Sequence, residues 1–131
     1  KIMKLEIGDE KLEVEIGKLL KGIHAMGPKI VVITEGKNGA YVYDGQETWF
    51  GPTYPDPKPP YERTGAGDAF SATFTAALAL GKTPLEALAW GPINSMSVVQ
   101  QIGAQAGLLT RPALEKLLAE APADYQPKKI A

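Results

Sequence analysis

The chain has 131 residues, 44% of them apolar, and a formal net charge of −1. This length and apolar content suit a single hydrophobic core, so we expect one compact domain or part of a larger one. The balanced charge gives no general electrostatic reason to bind nucleic acid or an acidic membrane, and the absence of cysteine excludes disulfides and a thiolate nucleophile.

The first predicted element is an amphipathic helix from about Asp9 to Met26. Apolar residues recur there every three or four positions, with Glu and Lys on the opposite face. Gly27-Pro28 ends the helix. The following "KIVVIT", Lys29 to Thr34, has no polar alternation, which favours a strand covered on both faces in a parallel sheet.

A hairpin and a stiff connection are predicted next. Ala40 to Tyr43 and Gln46 to Phe50 flank Asp44-Gly45, a dipeptide typical of tight antiparallel turns. Gly51 to Pro60 then contains five prolines, which exclude both a helix and a central strand. We expect this stretch to be an extended connection.

Three helices are predicted in the second half. The first runs from Ala66 to Leu80, with Gly81 as its C-terminal cap, and its apolar composition predicts burial. Thr83 caps the second helix, which reaches about Gln100, and Thr110 opens a short third one.

The first residue and the composition of the chain lead to further predictions. It begins at Lys1 without an initiator methionine, so we expect a portion of the protein to precede it. Every apolar run is far shorter than the ~20 residues of a membrane span. We therefore expect no membrane partner and no nucleic-acid partner, and the lack of cysteine fits a cytoplasmic protein.

The motif "GAGD", Gly65 to Asp68, stands at the start of a predicted buried helix, where it could bind an anion and accept a proton. The first N–H groups of a helix have no internal acceptor and carry about half a positive charge, so they attract anions, and small residues let a phosphate approach them. The carboxylate of Asp68 could accept a proton from an alcohol beside such a phosphate. On these four residues alone, a plain helix start capped by Thr64 explains the motif equally well.

The strand-turn "VVITEGKNGAYVYDG", Val31 to Gly45, is the second candidate. Gly36 and Gly39 bring the backbone and the Thr34 hydroxyl to the end of a buried strand, where α/β sheets bind ligands. Here too, a glycine-containing turn without function remains an alternative.

Together these patterns resemble one family. The strand-turn, "TGAGDAF" (Thr64 to Phe70), a helix bearing Asn94, and "GAQAG" (Gly103 to Gly107) are similar in order and spacing to the C-terminal part of the ribokinase-like (PfkB) carbohydrate kinases. The resemblance covers nearly the whole chain and implies a three-layer α/β/α sandwich. Residues 1–131 would be the C-terminal, nucleotide-binding part of that kinase domain.

The resemblance also implies residue roles in an ATP- and Mg²⁺-dependent kinase of a sugar or nucleoside hydroxyl group. Asp68 would be the catalytic base. The matching positions of the anion hole for the transferred phosphate are Gly65, Ala66 and Gly67, and those of the nucleotide site are Thr34, Glu35, Gly36, Gly39 and Asn94.

Two residues depart from the family pattern. Glu62-Arg63 stand where the family usually has Asp-Thr, and its Asp helps a loop to bind a monovalent cation. Glu62 is therefore the candidate ligand for K⁺, whereas the charge of Arg63 and the Ala106-Gly107 pair, where relatives often place a serine, argue against potassium activation. Arg63 either pairs with Glu62 or meets a nucleotide phosphate.

The family's substrate pocket, lid and Asn-x-x-Glu motif lie upstream of the matched region and are absent from these residues. We therefore expect the chain alone to be inactive and to need the N-terminal part of the same kinase; relatives often dimerise through the lid, so a homodimer belongs to the complete enzyme. The alternative is a non-catalytic nucleotide- or anion-binding module. A dinucleotide-binding oxidoreductase is disfavoured, since no G-x-G-x-x-G follows the strand.

Overall fold

The computed structural model of the protein describes residues 10–130. In chain order its elements are α1 (Glu10–Ala25), β1 (Val31–Thr34), a 3₁₀ turn (Gly36–Asn38), β2 (Ala40–Tyr43), β3 (Thr48–Gly51), α2 (Ala66–Ala79), α3 (Pro84–Val98), α4 (Arg111–Ala119) and β4 (Lys128–Lys129). The predicted helices, the hairpin and the connection without regular structure are confirmed, although Asp9 at the predicted helix start lies outside the described residues. The two-residue strand β4 has no counterpart in the prediction. Within the described part, every helix is too short or too polar to cross a membrane.

The four strands form one antiparallel sheet in the order β1-β2-β3-β4. Val31 lies opposite Tyr43, and Tyr41 lies opposite Phe50. Among the described strands β1 is at the edge and pairs antiparallel with β2, so the predicted parallel pairing is wrong for residues 10–130. An unbroken apolar run reports that both faces of a strand are covered, and it carries no information about the direction of the neighbouring strand.

Both faces of the sheet are indeed covered by helices. On one face, Tyr41 packs in a cluster with Leu12, Ile16 and Leu20 of α1. On the other face, Val42 packs with the apolar residues of α2, α3 and α4. Successive residues of β2 thus point to opposite layers, as the pleat requires, and the predicted three-layer α/β/α arrangement is confirmed.

The helices α2 and α3 approach each other closely beside the sheet. An added Cβ atom at Gly91 would lie 2.7 Å from the ring of Phe70, so the missing side chain permits this packing. The Asn94 amide donates to the Thr73 hydroxyl at 2.8 Å and joins the two helices through a buried hydrogen bond. Packing and this bond together hold α2 against α3.

Helix α3 starts with the capping box expected at Thr83. The Thr83 hydroxyl accepts from the Glu86 amide, and the Glu86 carboxylate accepts from the Thr83 amide at 2.8 Å. The second bond lowers the pKa of Glu86 because it favours the ionised carboxylate. The helix then continues through Pro92 to Val98.

Candidate active site

A cavity of about 410 Å³ lies where the turn after β1 faces the first turn of α2. The turn contributes Thr34, Gly36, Lys37 and Gly39 to its wall, and the α2 region contributes Arg63, Ala66, Gly67 and Phe70. Thr53, Tyr54 and Asp56 come from the proline-rich connection, and Pro92, Ser95, Met96 and Val99 come from α3 and its end. The two motifs chosen from the sequence therefore meet at one cavity.

The turn after β1 depends on its two glycines. Gly36 and Gly39 have φ angles of +53° and +112°, in the region that side chains disfavour, and the Glu35 amide closes the turn by donating to the Gly39 carbonyl at 2.8 Å. A Cβ atom at Gly39 would lie 2.5 Å from the Gly51 carbonyl oxygen. The main chain at Gly39 thus packs directly against β3 and leaves no room for a side chain.

The first turn of α2 presents free backbone donors to the cavity. Its N-cap residue is Gly65, with φ +84° and no side-chain cap, so Thr64 does not cap the helix. An added Cβ at Gly65 would lie 2.9 Å from Ala104, which fixes the glycine against the loop after α3. Within the described residues, the amides of Gly67 and Asp68 donate to no protein acceptor. An anion at this end of the helix would satisfy them.

Gly67 leaves open space where a side chain would stand. It is exposed and lines the cavity, and an added Cβ there would meet nothing within 4 Å. A methyl group at this position would therefore occupy the cavity mouth without disturbing the fold. Gly65, by contrast, is required by the backbone itself.

Asp68 lies in the first turn of α2 but is not part of the cavity wall. It is exposed, and helical spacing places it on the same face as Ser71 and Thr75. Those two residues line a second groove, of about 360 Å³, between α2 and β1. Asp68 thus lies between the cavity and the exposed edge of the sheet beside β1.

Four other residues chosen from the sequence do not line the cavity: Glu35, Glu62, Gly65 and Asn94. Asn94 is 8% exposed, and its carbonyl oxygen also accepts from the Leu109 amide at 3.0 Å, so its side chain serves the packing of α2, α3 and the following loop. Glu62 accepts from the Gly103 amide at 3.0 Å.

The contribution of α3 and its end to the cavity was not predicted from the sequence. Pro92, Ser95, Met96 and Val99 are spaced as i, i+3, i+4 and i+7, the pattern of one helical face. That spacing was visible in the sequence, but it equally predicts a core-facing stripe. Ser95 also donates to the Ala66 carbonyl at 2.5 Å and ties the helix to the first turn of α2.

In the described part of the chain, no group of three or more His, Cys, Asp or Glu side chains could hold a metal ion. The cavity wall carries a single carboxylate, Asp56, and two cations, Lys37 and Arg63. Its backbone donors and its excess of positive charge suit an anionic ligand more than a bare cation.

The chain is similar to known proteins of one family. A family model described as pfkB family carbohydrate kinase matches residues 5–111. The chain is 39% identical over 94 residues to the ribokinase of Bacillus subtilis, which covers 72% of this chain and 31% of that relative. It is 37% identical over 82 residues to the cytidine kinase of Thermococcus kodakarensis, covering 62% of this chain and 29% of the relative.

The fold is similar to a solved structure as well. Arabidopsis thaliana ribokinase, complexed with ribose and ATP, aligns with a TM-score of 0.73 at 28% identity, covering 80% of this chain and 34% of that protein. The chain thus spans about a third of the length of the relatives that it matches.

Proposed function

Because the chain belongs to the pfkB family of carbohydrate kinases, we propose that it supplies the nucleotide-binding part of an enzyme that transfers phosphate from ATP to a hydroxyl group of a sugar or nucleoside. Its fold is the corresponding third of a ribokinase-like α/β/α sandwich. The observation that carries the proposal is the meeting of the glycine turn after β1 and the uncapped start of α2 at one cavity.

ATP would occupy the cavity of about 410 Å³, a volume within the usual range for small-molecule sites. Thr34, Gly36 and Gly39 form one wall, and the α2 amides near Gly67 form the opposite one. A phosphate that approached these amides would gain charge-assisted hydrogen bonds in addition to the favourable helix dipole. The γ-phosphate would therefore lie at the first turn of α2.

Asp68 would act as the base from the neighbouring position. As the acceptor oxygen attacks the γ-phosphorus, its proton passes to the Asp68 carboxylate, the bond to the β–γ bridging oxygen breaks, and ADP leaves. The amides of Gly67 and Asp68, which have no acceptor in the described part of the chain, would stabilise the negative charge on the transferred group. The exposed position of Asp68, outside the wall of the nucleotide cavity, supports an acceptor that arrives from the open side.

Mg²⁺ would enter with the ATP phosphates, because the described residues do not form a metal cage. It would neutralise charge on the nucleotide, and Asp56 is the one carboxylate on the described cavity wall that could face it.

For K⁺ the structure offers less support. The Glu62 carboxylate accepts a hydrogen bond from the Gly103 amide, so we propose that Glu62 holds this loop in place. The proposal includes no requirement for an alkali cation.

The remaining two thirds of the kinase would cover the open edge beside β1. The groove there is lined by apolar side chains of β1 and α2, among them Val32, Phe74 and Leu78. Leu19 on α1 is 56% exposed next to the buried stripe of the helix, and Met26, just after the helix ends, is 82% exposed. We propose that the rest of the enzyme packs onto these surfaces and brings the acceptor pocket to Asp68.

A binding measurement tests the nucleotide half of the proposal. ATP that binds only the folded chain should raise its free energy of unfolding by about 2.7 kcal/mol at 100 times Kd. The same chain, supplied with ATP, Mg²⁺ and ribose, should release no sugar-dependent ADP. Absence of stabilisation at saturating ATP would contradict the assigned site, and turnover at the ordinary kinase rates of roughly 1–100 s⁻¹ would contradict the division of the active site.

Replacing Gly67 by alanine should separate binding from stability. The added methyl group would meet no other part of the described fold within 4 Å but would take space on the cavity wall, so ATP affinity should fall by roughly 10- to 100-fold through weakened charge-assisted hydrogen bonds. Stability should stay equal or rise by up to about 1 kcal/mol, since alanine favours the helix. Titration calorimetry and urea unfolding measure the two effects.

Gly22→Ala is the matched control, because Gly22 also lies in a helix with no atom near the added methyl group and is far in sequence from the cavity residues. It should share the gain in stability and keep the ATP affinity. Equal affinity of the Gly67→Ala and Gly22→Ala variants would remove the α2 amides from the site.

A further inference from the structure

Arg63 is a cation on the cavity wall that has no ion-pair partner in the described part of the chain. Its side chain is exposed, and no carboxylate lies within 4.0 Å of its guanidinium group among those residues. The neighbouring carboxylate of Glu62 accepts from the Gly103 amide instead. Of the two roles that the sequence left open for Arg63, pairing with Glu62 is therefore not observed.

The backbone around Arg63 is held on both sides. The Tyr61 amide donates to the Val99 carbonyl at 2.8 Å, and the Arg63 carbonyl accepts from the Ala66 amide at 3.3 Å. Together with the Glu62 contact, these bonds fix the segment to the end of α3 and to the start of α2. The backbone at Arg63 is therefore fixed in position, whereas its side chain can bind a ligand.

The position of this charge is unfavourable without an anion. Arg63 lies just before α2, where the helix dipole already presents positive charge, and a cation at a helix start opposes that dipole. Lys37 adds a second cation from the turn after β1, against the single carboxylate of Asp56. Both cations and the free α2 amides would be neutralised by the same polyanion.

We infer that Arg63 is a phosphate-binding residue that makes the cavity select nucleoside triphosphates and diphosphates over monophosphates. The inference rests on the proposed nucleotide site and deepens it. The planar guanidinium group can donate two parallel hydrogen bonds to a phosphate, which a hydroxyl-bearing side chain at this position could not do. Its contribution grows with the number of phosphates within reach, while the adenosine part of the ligand gains nothing from it.

The test compares ATP, ADP and AMP binding to the wild-type chain and to Arg63→Gln by titration calorimetry. The substitution keeps most of the length of the side chain and removes its charge. ATP affinity should fall by roughly 10- to 100-fold, as for lost hydrogen bonds to a charged group, whereas AMP affinity should change by less than about threefold. The salt dependence of ATP binding should weaken in parallel.

Two further variants make the result specific. Lys21→Gln removes the same charge from the solvent-exposed side of α1 and should leave all three affinities unchanged. Arg63→Lys keeps the charge without the two-pronged geometry and should retain part of the preference for ATP. Urea unfolding of Arg63→Gln without nucleotide should show a stability no lower than that of the wild type, since the side chain is exposed and its charge opposes the dipole of α2.

The outcomes separate the two proposals. If the wild-type chain binds neither ATP nor ADP, the proposed function fails and the role of Arg63 falls with it. If the wild type binds ATP and Arg63→Gln keeps the same ratio of ATP to AMP affinity, the nucleotide site stands and only the inference about Arg63 is overturned.

Discussion

Replacing Asp68 by asparagine should lower phosphoryl transfer by roughly 10²- to 10⁴-fold, the usual contribution of a general base. Asparagine has the same size as aspartate but cannot take the proton of the acceptor hydroxyl. Asp68 is exposed and does not line the nucleotide cavity, so the affinity for ATP should change by no more than about twofold. The proposed mechanism thus predicts a loss of kcat without a loss of nucleotide binding.

The measurement requires a complete active site. We would use a chimera that joins residues 1–131 to the part of Bacillus subtilis ribokinase that they do not match, with ribose and MgATP as substrates. Asp124→Asn serves as the control, because Asp124 is also exposed but lies beyond α4. The loss of the Asp68 charge from the start of α2 should cost only about 0.3–1 kcal/mol of stability, too little to explain the loss of rate. If the Asp68→Asn chimera turned over as fast as the unsubstituted chimera, this carboxylate would have no catalytic role.

Replacing Gly39 by alanine should destabilise the protein by about 2–6 kcal/mol, the sum expected for a strained backbone and an overpacked contact. Its φ of +112° is unfavourable for a side chain, and the added Cβ would stand 2.5 Å from the Gly51 carbonyl oxygen and 2.8 Å from the Phe50 ring. Relief of these contacts would separate β2 from β3 at the edge of the cavity. ATP affinity should therefore fall together with stability.

Urea unfolding of Gly39→Ala and Gly36→Ala tests this expectation. Gly36 lies in the same turn with φ +53°, but an added Cβ there meets nothing within 4 Å. Its replacement should cost only the conformational penalty of about 1–2 kcal/mol. Equal losses in the two variants would show that the close contact with β3 contributes nothing.

The helices were predictable because their signals are local. Thr83 and Thr110 cap α3 and α4 as expected, and their side-chain hydroxyls accept from amides three residues later. The apolar stripe of α1 was correct in part: Leu12, Ile16 and Leu20 are buried, whereas Leu19 and Ile23 are exposed. Capping bonds and helical periodicity need only neighbouring residues, so the sequence contains all the information they require.

The start of α2 shows where local reasoning was insufficient. Thr64 is a good N-cap residue, yet Gly65 takes that position because the chain there packs against Ala104, almost forty residues away. Likewise, the amide of Asn94 bonds to Thr73 and Leu109, and the sequence predicted neither contact. Each outcome depends on a contact between distant segments, which no local pattern encodes.

By itself, the sequence determined the order of helices and strands, the proline-rich connection, and the two glycine motifs that resemble those of the family. Periodicity, caps and turn residues act within a few positions, which is why these features were readable. Only the tertiary structure decided that both motifs line one cavity and that β1 pairs antiparallel at the edge of the described sheet. It also decided that Glu62 accepts a hydrogen bond from a loop amide while Arg63 lines the cavity. These results follow from long-range packing, in which the position of each side chain depends on the whole fold.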